Sequence, residues 1–198
     1  SLDDASKTGF ERVVSALRAA GIDVIRRIDN VLVESLERAI FDAGNICNAI
    51  TGWENRWHTR NLVDIDATGV SERAKGTLAR AEAMSVDDYT AALVARDHAQ
   101  RCHEVVHGLA DGIVTLSCPG PAPLWGGDQP GEPLLARPTG DAVFNYSSSM
   151  LFAPSVSMPL MGVQGMPVGV QVFGQQHEDA KMTGLARWML ANIAPVRV

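Results

Sequence analysis

Three short apolar runs bounded by proline or glycine constrain the fold of this chain most strongly. They occupy residues 113–116, 155–160 and 168–173, and the residues that flank them include Pro154 and Gly174. Apolar or alternating runs of about 4–8 residues between breakers are typical of β-strands, because helices are usually longer. The chain is therefore expected to contain a sheet whose strands end at these breakers.

Helical patterns alternate with these strands. Thr8 precedes Glu11 by three residues, as in a capping box, and apolar residues follow at helical spacing. Ser85 and Asp88 repeat that pattern before a longer helix. This order of elements predicts an α/β architecture, a mixed β-sheet covered by helices, in a single domain over residues 1–198. The other predicted helices cover residues 31–46, 71–83 and 178–192, and a further strand is predicted at Ile22, Val24 and Ile25. Residues 53–66 are predicted to be an irregular loop with one helical turn, and residues 119–140 a proline- and glycine-rich loop.

Charge and composition exclude several classes of partner. Lys plus Arg is 17 and Asp plus Glu is 23, so the formal net charge is −6. Nucleic-acid-binding surfaces are basic, and a membrane span needs about 20 apolar residues, so we expect neither a nucleic-acid nor a membrane partner. Cys47, Cys102 and Cys118 form no CxxC motif. Such usage fits reduced thiols, which indicates a cytoplasmic location.

The chain contains a literal zinc-binding pattern. Residues 103–107 read HExxH, in which His103 and His107 share a helix face and Glu104 can activate a zinc-bound water. A catalytic zinc needs a third protein ligand, and the extended motif fails because Ala110 stands where glycine is required. A zinc-dependent hydrolase therefore stays an alternative, and we expect no metal.

The patterns that activate a serine nucleophile are absent from the sequence. There is no GxSxG elbow and no SxxK pair, and the lysines are Lys7, Lys75 and Lys181. The serine cluster at residues 147–149 lacks flanking glycines and a nearby base, so it is predicted to be a polar turn before a strand. No phosphate-binding GxxxxGK is present, and we expect no cofactor.

Three motifs stand in the last third of the chain: TGDAVFN (residues 139–145), SMLFAPSVSMP (residues 149–159) and GMPVGVQVFG (residues 165–174), followed by Glu178-Asp179. Together they resemble the amidase signature family of amide hydrolases, and GMPVGVQVFG is the most specific of them. Residues 111–123 and 10–24 also resemble segments of that family, so the likeness spans nearly the whole chain. It is weakest over residues 45–80.

The resemblance implies an amide hydrolase that uses a Ser–cis-Ser–Lys triad and an acyl-enzyme. In the family this triad lies in a Gly/Ser-rich stretch of the N-terminal half, which no part of this chain matches. The resemblance thus implies a C-terminal half with no catalytic residue of its own, partnered by an N-terminal half and a small-molecule amide substrate. This half would supply sheet, covering helices and one pocket wall, with the predicted substrate-binding residues Trp125, Thr139, Asn145, Ser149 and Phe152.

One departure from the family pattern concerns Phe152, which stands where glycine is usual. Its ring would fill part of the acyl pocket or redirect the loop. For Thr139 and Asn145, capping of turns is an equally weighted interpretation. A non-catalytic structural or interaction module derived from the same fold is the main alternative to an enzyme. In either case a half-sheet leaves an unpaired edge, which a partner or a second copy of the chain would cover.

Overall fold

The computed structural model of the protein describes residues 2–124 and 140–198. None of the helices in these two ranges combines the length and the hydropathy of a membrane span. The elements in chain order are α1 (Asp4–Ala19), α2 (Val31–Ala39), α3 (Ala43–Ile65), a 3-10 turn (Ala67–Gly69), α4 (Glu72–Ala83), α5 (Val86–Val106), β1 (Ile113–Leu116), α6 (Val143–Met150), β2 (Ser155–Val163), β3 (Met166–Phe173), α7 (Asp179–Asn192) and β4 (Val196–Arg197).

The four strands of the described residues form one mixed sheet in the order β1-β3-β2-β4. Strand β3 runs antiparallel to both β1 and β2, whereas β4 runs parallel to β2. Gln164 and Gly165 form the tight turn between β2 and β3, and both have positive φ, 52° and 79°. This backbone twist matches that of the flanking strands, so it favours a hairpin. The mixed sheet and its helices confirm the predicted α/β architecture.

The two faces of the sheet differ because successive strand residues point to opposite sides. The face that we call face A is apolar and packs against α1 and α7. Its buried members include Leu116, Met158, Val168, Val170 and Val172, which contact Val13, Leu17, Met182, Ala186 and Met189.

The opposite side, face B, is apolar only at one end. There Phe173 and Ile113 pack against residues from α2, α3, α5 and α6. Further along the same face, the strands carry polar or small residues instead of apolar ones. These are Thr115, Ser157, Gly169 and Gln171.

Several sequence predictions are confirmed with small changes in bounds. Strand β1 has the predicted bounds, while β2 and β3 extend the predicted strands to Val163 and from Met166. The capping box at Ser85 is present, since its hydroxyl accepts from the backbone N–H of Asp88 and the Asp88 carboxylate accepts from the backbone N–H of Ser85.

The predicted loop over residues 53–66 is wrong, because these residues lie in the 23-residue helix α3. Trp53 stacks on Tyr89 of α5 with 5.3 Å between ring centres, and the Arg56 guanidinium lies 3.5 Å from the Trp53 ring centre. Arg60 reaches α4, where it forms an ion pair with Glu82. Over residues 53–66 a stacked ring and an ion pair contact α5 and α4, so this part of α3 shows no regular apolar period.

Three further predictions need correction. The predicted helix over residues 31–46 is two helices, since α2 ends at Ala39 and α3 begins at Ala43. Helix α1 begins earlier than predicted, because Asp3 caps it by accepting from the backbone N–H of Ser6, while Thr8 donates to the Asp4 carbonyl instead. The serines of residues 147–149 lie within α6 and do not form a turn.

Residues 22–25, which are predicted to be a strand, do not join the sheet. Val24 packs against the core of face A, whereas Ile22 and Ile25 are 39% and 38% exposed. A strand needs a hydrogen-bonded neighbour. None of the strands in the described ranges pairs with this segment.

Candidate functional site

A buried glutamine, Gln171, connects three strands to α6. Its side-chain nitrogen donates to the carbonyl oxygens of Leu116 and Phe144 at 3.0 and 3.2 Å and to the Thr115 hydroxyl at 3.1 Å. Its side-chain oxygen accepts from the Ser155 hydroxyl at 2.7 Å. Gln171 is 3% exposed, so these bonds replace those to water. The glutamine therefore fixes the first turn of α6 on face B.

Two hydroxyls lie next along face B, and we call them the serine pair, Ser117 and Ser157. Their oxygens are 2.6 Å apart. A Cβ atom at Gly169 would approach the two oxygens to 2.8 and 2.6 Å, so only glycine leaves room for the pair. Ser157 is exposed. Since one hydroxyl donates to the other, the pair retains one O–H that can donate to a further acceptor, such as a carbonyl oxygen.

Three predicted pocket residues lie along α6 and just after it. Asn145 and Ser149 are one helical turn apart, so they share a face of α6, and both are exposed. Ser148 points away from this face, is buried, and donates to the Asn145 carbonyl at 3.1 Å. Phe152 follows the helix and is 52% exposed. Asn145 and Ser149 thus lie on the exposed side of α6, and Phe152 lies two residues beyond the end of that helix.

Phe152 has a backbone conformation that favours glycine. Its φ is 53°, in the left-handed region. The Arg96 guanidinium lies 5.3 Å from the centre of the Phe152 ring, which adds a cation–π contact. The left-handed backbone at residue 152 therefore explains why the resembling family has glycine at this position.

We expect Phe152→Gly to be at least as stable as the natural chain. The left-handed conformation costs a non-glycine residue about 1 kcal/mol, which offsets the loss of an exposed cation–π contact worth about 0.5–1 kcal/mol. Phe152→Ala loses the contact but keeps the backbone cost, so it should be the less stable variant by about 1 kcal/mol. Urea unfolding of both variants measures the difference. An alanine variant more stable than the glycine variant would contradict this explanation.

The described residues do not pair a serine with a base. No serine hydroxyl in residues 2–124 and 140–198 is hydrogen-bonded to a lysine or histidine side chain, and the serine pair bonds to itself. Each lysine instead contacts a carboxylate: Lys7 contacts Asp4 at 3.0 Å, Lys75 contacts Glu72 at 2.7 Å, and Lys181 contacts Glu178 at 3.3 Å. An unactivated serine is a weak nucleophile. No serine of the described residues is therefore placed beside a base that could activate it.

The HExxH motif lies at the end of α5, and its histidines have different environments. His103 is 2% exposed, its ring centre is 5.9 Å from that of Phe173, and its Nε2 has no hydrogen-bond partner. His107 is exposed, and its Nε2 lies 3.2 Å from a carboxylate oxygen of Glu178. Across the described ranges, no three His, Cys, Asp or Glu side chains are arranged to hold a metal ion. The zinc alternative therefore gains no support from this part of the chain.

His103 should make the chain acid-sensitive. Burial lowers the pKa of His103, while Glu178 raises it and His107 lowers it further. The unfolded chain then binds the proton more readily, so the free energy of unfolding should fall as pH drops below about 6.5. The slope should approach about 1.4 kcal/mol per pH unit. Urea titrations between about pH 8 and 5 should show this loss in the natural chain and in His107→Gln but not in His103→Gln. If the free energy of unfolding of His103→Gln falls with pH as steeply as that of the natural chain, His103 is not the source of the acid sensitivity.

Two other predicted pocket residues, Trp125 and Thr139, lie outside the described residues. The long loop predicted over residues 119–140 falls mostly outside them as well.

Known proteins resemble this chain in structure rather than in sequence. No family model matches the sequence, and no curated protein matches it. A solved amidase superposes on 98% of this chain with a TM-score of 0.79 at 21% identity. Kluyveromyces lactis allophanate hydrolase superposes on 98% with a TM-score of 0.72 at 14% identity. A bacterial aryl acylamidase of the amidase signature enzyme family superposes on 74% with a TM-score of 0.55 at 14% identity.

The chain carries part of the amidase-signature fold. It spans only 43% of the amidase, 30% of the allophanate hydrolase and 32% of the aryl acylamidase. The shared structure confirms the fold that the three C-terminal motifs imply. Most of each larger amidase-signature chain has no counterpart here.

Sequence reasoning missed Gln171 and the serine pair as a connected polar group. A signal was present, because Gln171 is the polar residue in the otherwise apolar run of residues 168–173. An amide in a strand that is buried on both faces must find partners, since an unpaired buried polar group is costly. That the partners are Ser155, Thr115 and the Phe144 carbonyl required the pairing of the strands.

Proposed function

We propose that this chain is the C-terminal part of an amidase-signature amide hydrolase. The observation that carries the proposal is the superposition on 98% of this chain but only 43% of a solved amidase. The missing part of the fold, on the same or a separate polypeptide, would supply the Ser–cis-Ser–Lys triad. That division accounts for the serines of the described residues, which have no base.

The chain's own residues would position a small carboxamide substrate. Asn145 and Ser149 would form a polar wall along α6, with Phe152 at its end, and Trp125 and Thr139 would extend that wall. Gln171 supports this surface because it binds the Phe144 carbonyl in the first turn of α6. The serine pair offers one O–H to the substrate carbonyl.

The proposed reaction proceeds through an acyl-enzyme formed outside this chain. The supplied serine attacks the carboxamide carbon, its proton passes through the bridging serine and lysine to the leaving nitrogen, and the C–N bond breaks. Water then hydrolyses the ester to release the carboxylic acid and restore the serine. This chain orients the carbonyl and excludes water from one side. The reaction requires no cofactor, and the free thiols of Cys47, Cys102 and Cys118 support a cytoplasmic location.

Steady-state kinetics of the complete enzyme would test the pocket wall. In the complete enzyme, Ser149→Leu should raise KM for a short aliphatic amide by about tenfold. The reason is that the substitution places a larger, apolar side chain in the polar wall proposed to bind the substrate. Ser35→Leu is the matched control, since Ser35 is an exposed helical serine of α2. Ammonia release measures the rates. Equal KM values for the two variants would show that α6 does not line the substrate pocket.

A non-catalytic module is the second candidate, because the described serines are unactivated whether or not a triad is supplied. An assembly that contains the remaining part of the fold but releases no ammonia from any of a panel of aliphatic, aromatic and cyclic amides would favour it.

A further inference from the structure

A cysteine and a histidine lie side by side on helix α5. The Sγ atom of Cys102 is 3.8 Å from the Nε2 atom of His98. The two residues are four apart in the helix, so their side chains share one face. His98 is exposed, and Cys102 is half-buried beside it. The pair therefore places a nucleophilic sulfur and a base in contact at the surface of the chain.

This contact can activate the thiol of Cys102. The thiolate, and not the thiol, is the nucleophilic form of cysteine. When the imidazole of His98 carries its proton on Nδ1, Nε2 has a lone pair that can accept the proton of the thiol. A cysteine activated by an adjacent histidine is a recurrent arrangement in proteins that form covalent bonds through sulfur.

The other two cysteines show that burial alone does not distinguish Cys102, because all three are half-buried. Cys47 donates its thiol proton to the Tyr146 carbonyl, with 3.6 Å between sulfur and oxygen. Burial raises the pKa of the Cys47 thiol, while the charge of Arg96 lowers it. Both the hydrogen bond and the burial keep Cys47 in its unreactive, protonated form.

Cys118 differs from Cys102 in its neighbours. It packs against the apolar core of face A. Within residues 2–124 and 140–198, no histidine or lysine side chain is hydrogen-bonded to Cys118, whereas Cys102 has His98. The structure thus singles out one of three cysteines by the base beside it.

We propose that Cys102 is a modification site at which this protein exchanges with small disulfides such as glutathione disulfide, with His98 as the base. His98 takes the thiol proton, and the Cys102 sulfur attacks one sulfur of the disulfide. The S–S bond of the reagent breaks as a new S–S bond to Cys102 forms, and the leaving thiolate takes the proton from His98. One disulfide is consumed and one thiol is released, so the step needs no further oxidant. The inference is independent of amide hydrolysis.

The rate of modification at each cysteine tests this proposal. The probe is glutathione disulfide, added at about pH 7 to the reduced, full 198-residue chain with a chelator present, and peptide mass spectrometry follows each site. We expect Cys102 to be modified at least about tenfold faster than Cys47 and Cys118, and dithiothreitol to reverse the reaction. A rate at Cys102 equal to or below those of the other two would overturn the proposal.

Unfolding the chain provides a control for local sequence. In concentrated urea the helix no longer holds His98 against Cys102, so the rates at the three cysteines should become similar. A preference for Cys102 that persists in urea would show that the folded pair does not cause it, and would overturn the proposal.

Two histidine variants separate activation from simple exposure. His98→Gln removes the base and should slow modification of Cys102 about tenfold. His107→Gln is the matched control, because His107 is also an exposed histidine and lies at the end of the same helix. It should leave the rate at Cys102 unchanged, with both variants folded by circular dichroism. Equal rates at Cys102 in the two variants would overturn the role of His98.

Discussion

Gln171→Met is expected to destabilise the chain by about 3 kcal/mol, because it removes a set of buried hydrogen bonds at nearly constant side-chain volume. The Phe144 carbonyl loses its bond to Gln171, and the Ser155 hydroxyl must turn to water. Relative to the natural chain, the substitution should speed amide hydrogen exchange in α6 more than in α7. The reason is that Gln171 is hydrogen-bonded to α6 and not to α7. Urea unfolding and hydrogen exchange measure the two effects.

The matched control is Gln175→Met. Gln175 makes one side-chain hydrogen bond, to the His103 carbonyl at 2.7 Å. The same substitution there should cost about 1 kcal/mol. Equal losses at the two positions would show that Gln171 does not organise face B.

Gly169→Ala is expected to cost about 2 kcal/mol, because the added methyl overlaps the serine pair. Its Cβ would lie 2.6 Å from the Ser157 oxygen and 3.0 Å from the Ser117 Cβ, and the latter moves only with its backbone. If the proposed function holds, the displaced hydroxyls should also lower kcat/KM of the complete enzyme. Urea unfolding of the isolated chain measures the stability term directly.

A compensating substitution tests the cause of that loss. Ser157→Ala removes the oxygen nearest the new methyl, and Ser157 is exposed, so alone it should cost under about 1 kcal/mol. The double variant Gly169→Ala with Ser157→Ala should recover about half of the loss caused by Gly169→Ala. Strictly additive losses would mean that the serine pair is not what excludes a side chain at position 169.

The strands of face A could be predicted from the sequence because their bounds depend on local signals. Residues 113–115 are β-branched and breakers flank the run, and the Ser85 capping box involves residues three apart. Such signals need no knowledge of distant contacts. The motif GMPVGVQVFG likewise indicated the fold that the solved amidases share.

The failed predictions depend on contacts between distant parts of the chain. Trp53 lies in a helix whose contact with α5 is a ring stacked on Tyr89, which no periodicity of α3 reveals. Residues 22–25 have strand-forming side chains, but the described residues provide no pairing neighbour. The polar group around Gln171 appears only when β1, β2 and β3 are aligned. At these positions the sequence gives the type of each side chain, whereas contacts between distant segments determine which structure it joins.

The most direct test of the central claim is mass spectrometry of the natural assembly after reaction with a fluorophosphonate, which labels activated serines. We predict amide hydrolysis by the untreated assembly and one phosphonate adduct, which peptide mapping places on a serine outside these 198 residues. The isolated chain should be inert and unlabelled. Labelling of Ser117, Ser157 or another serine of this chain, or amide hydrolysis by the isolated chain, would contradict the claim that the nucleophile is supplied from elsewhere.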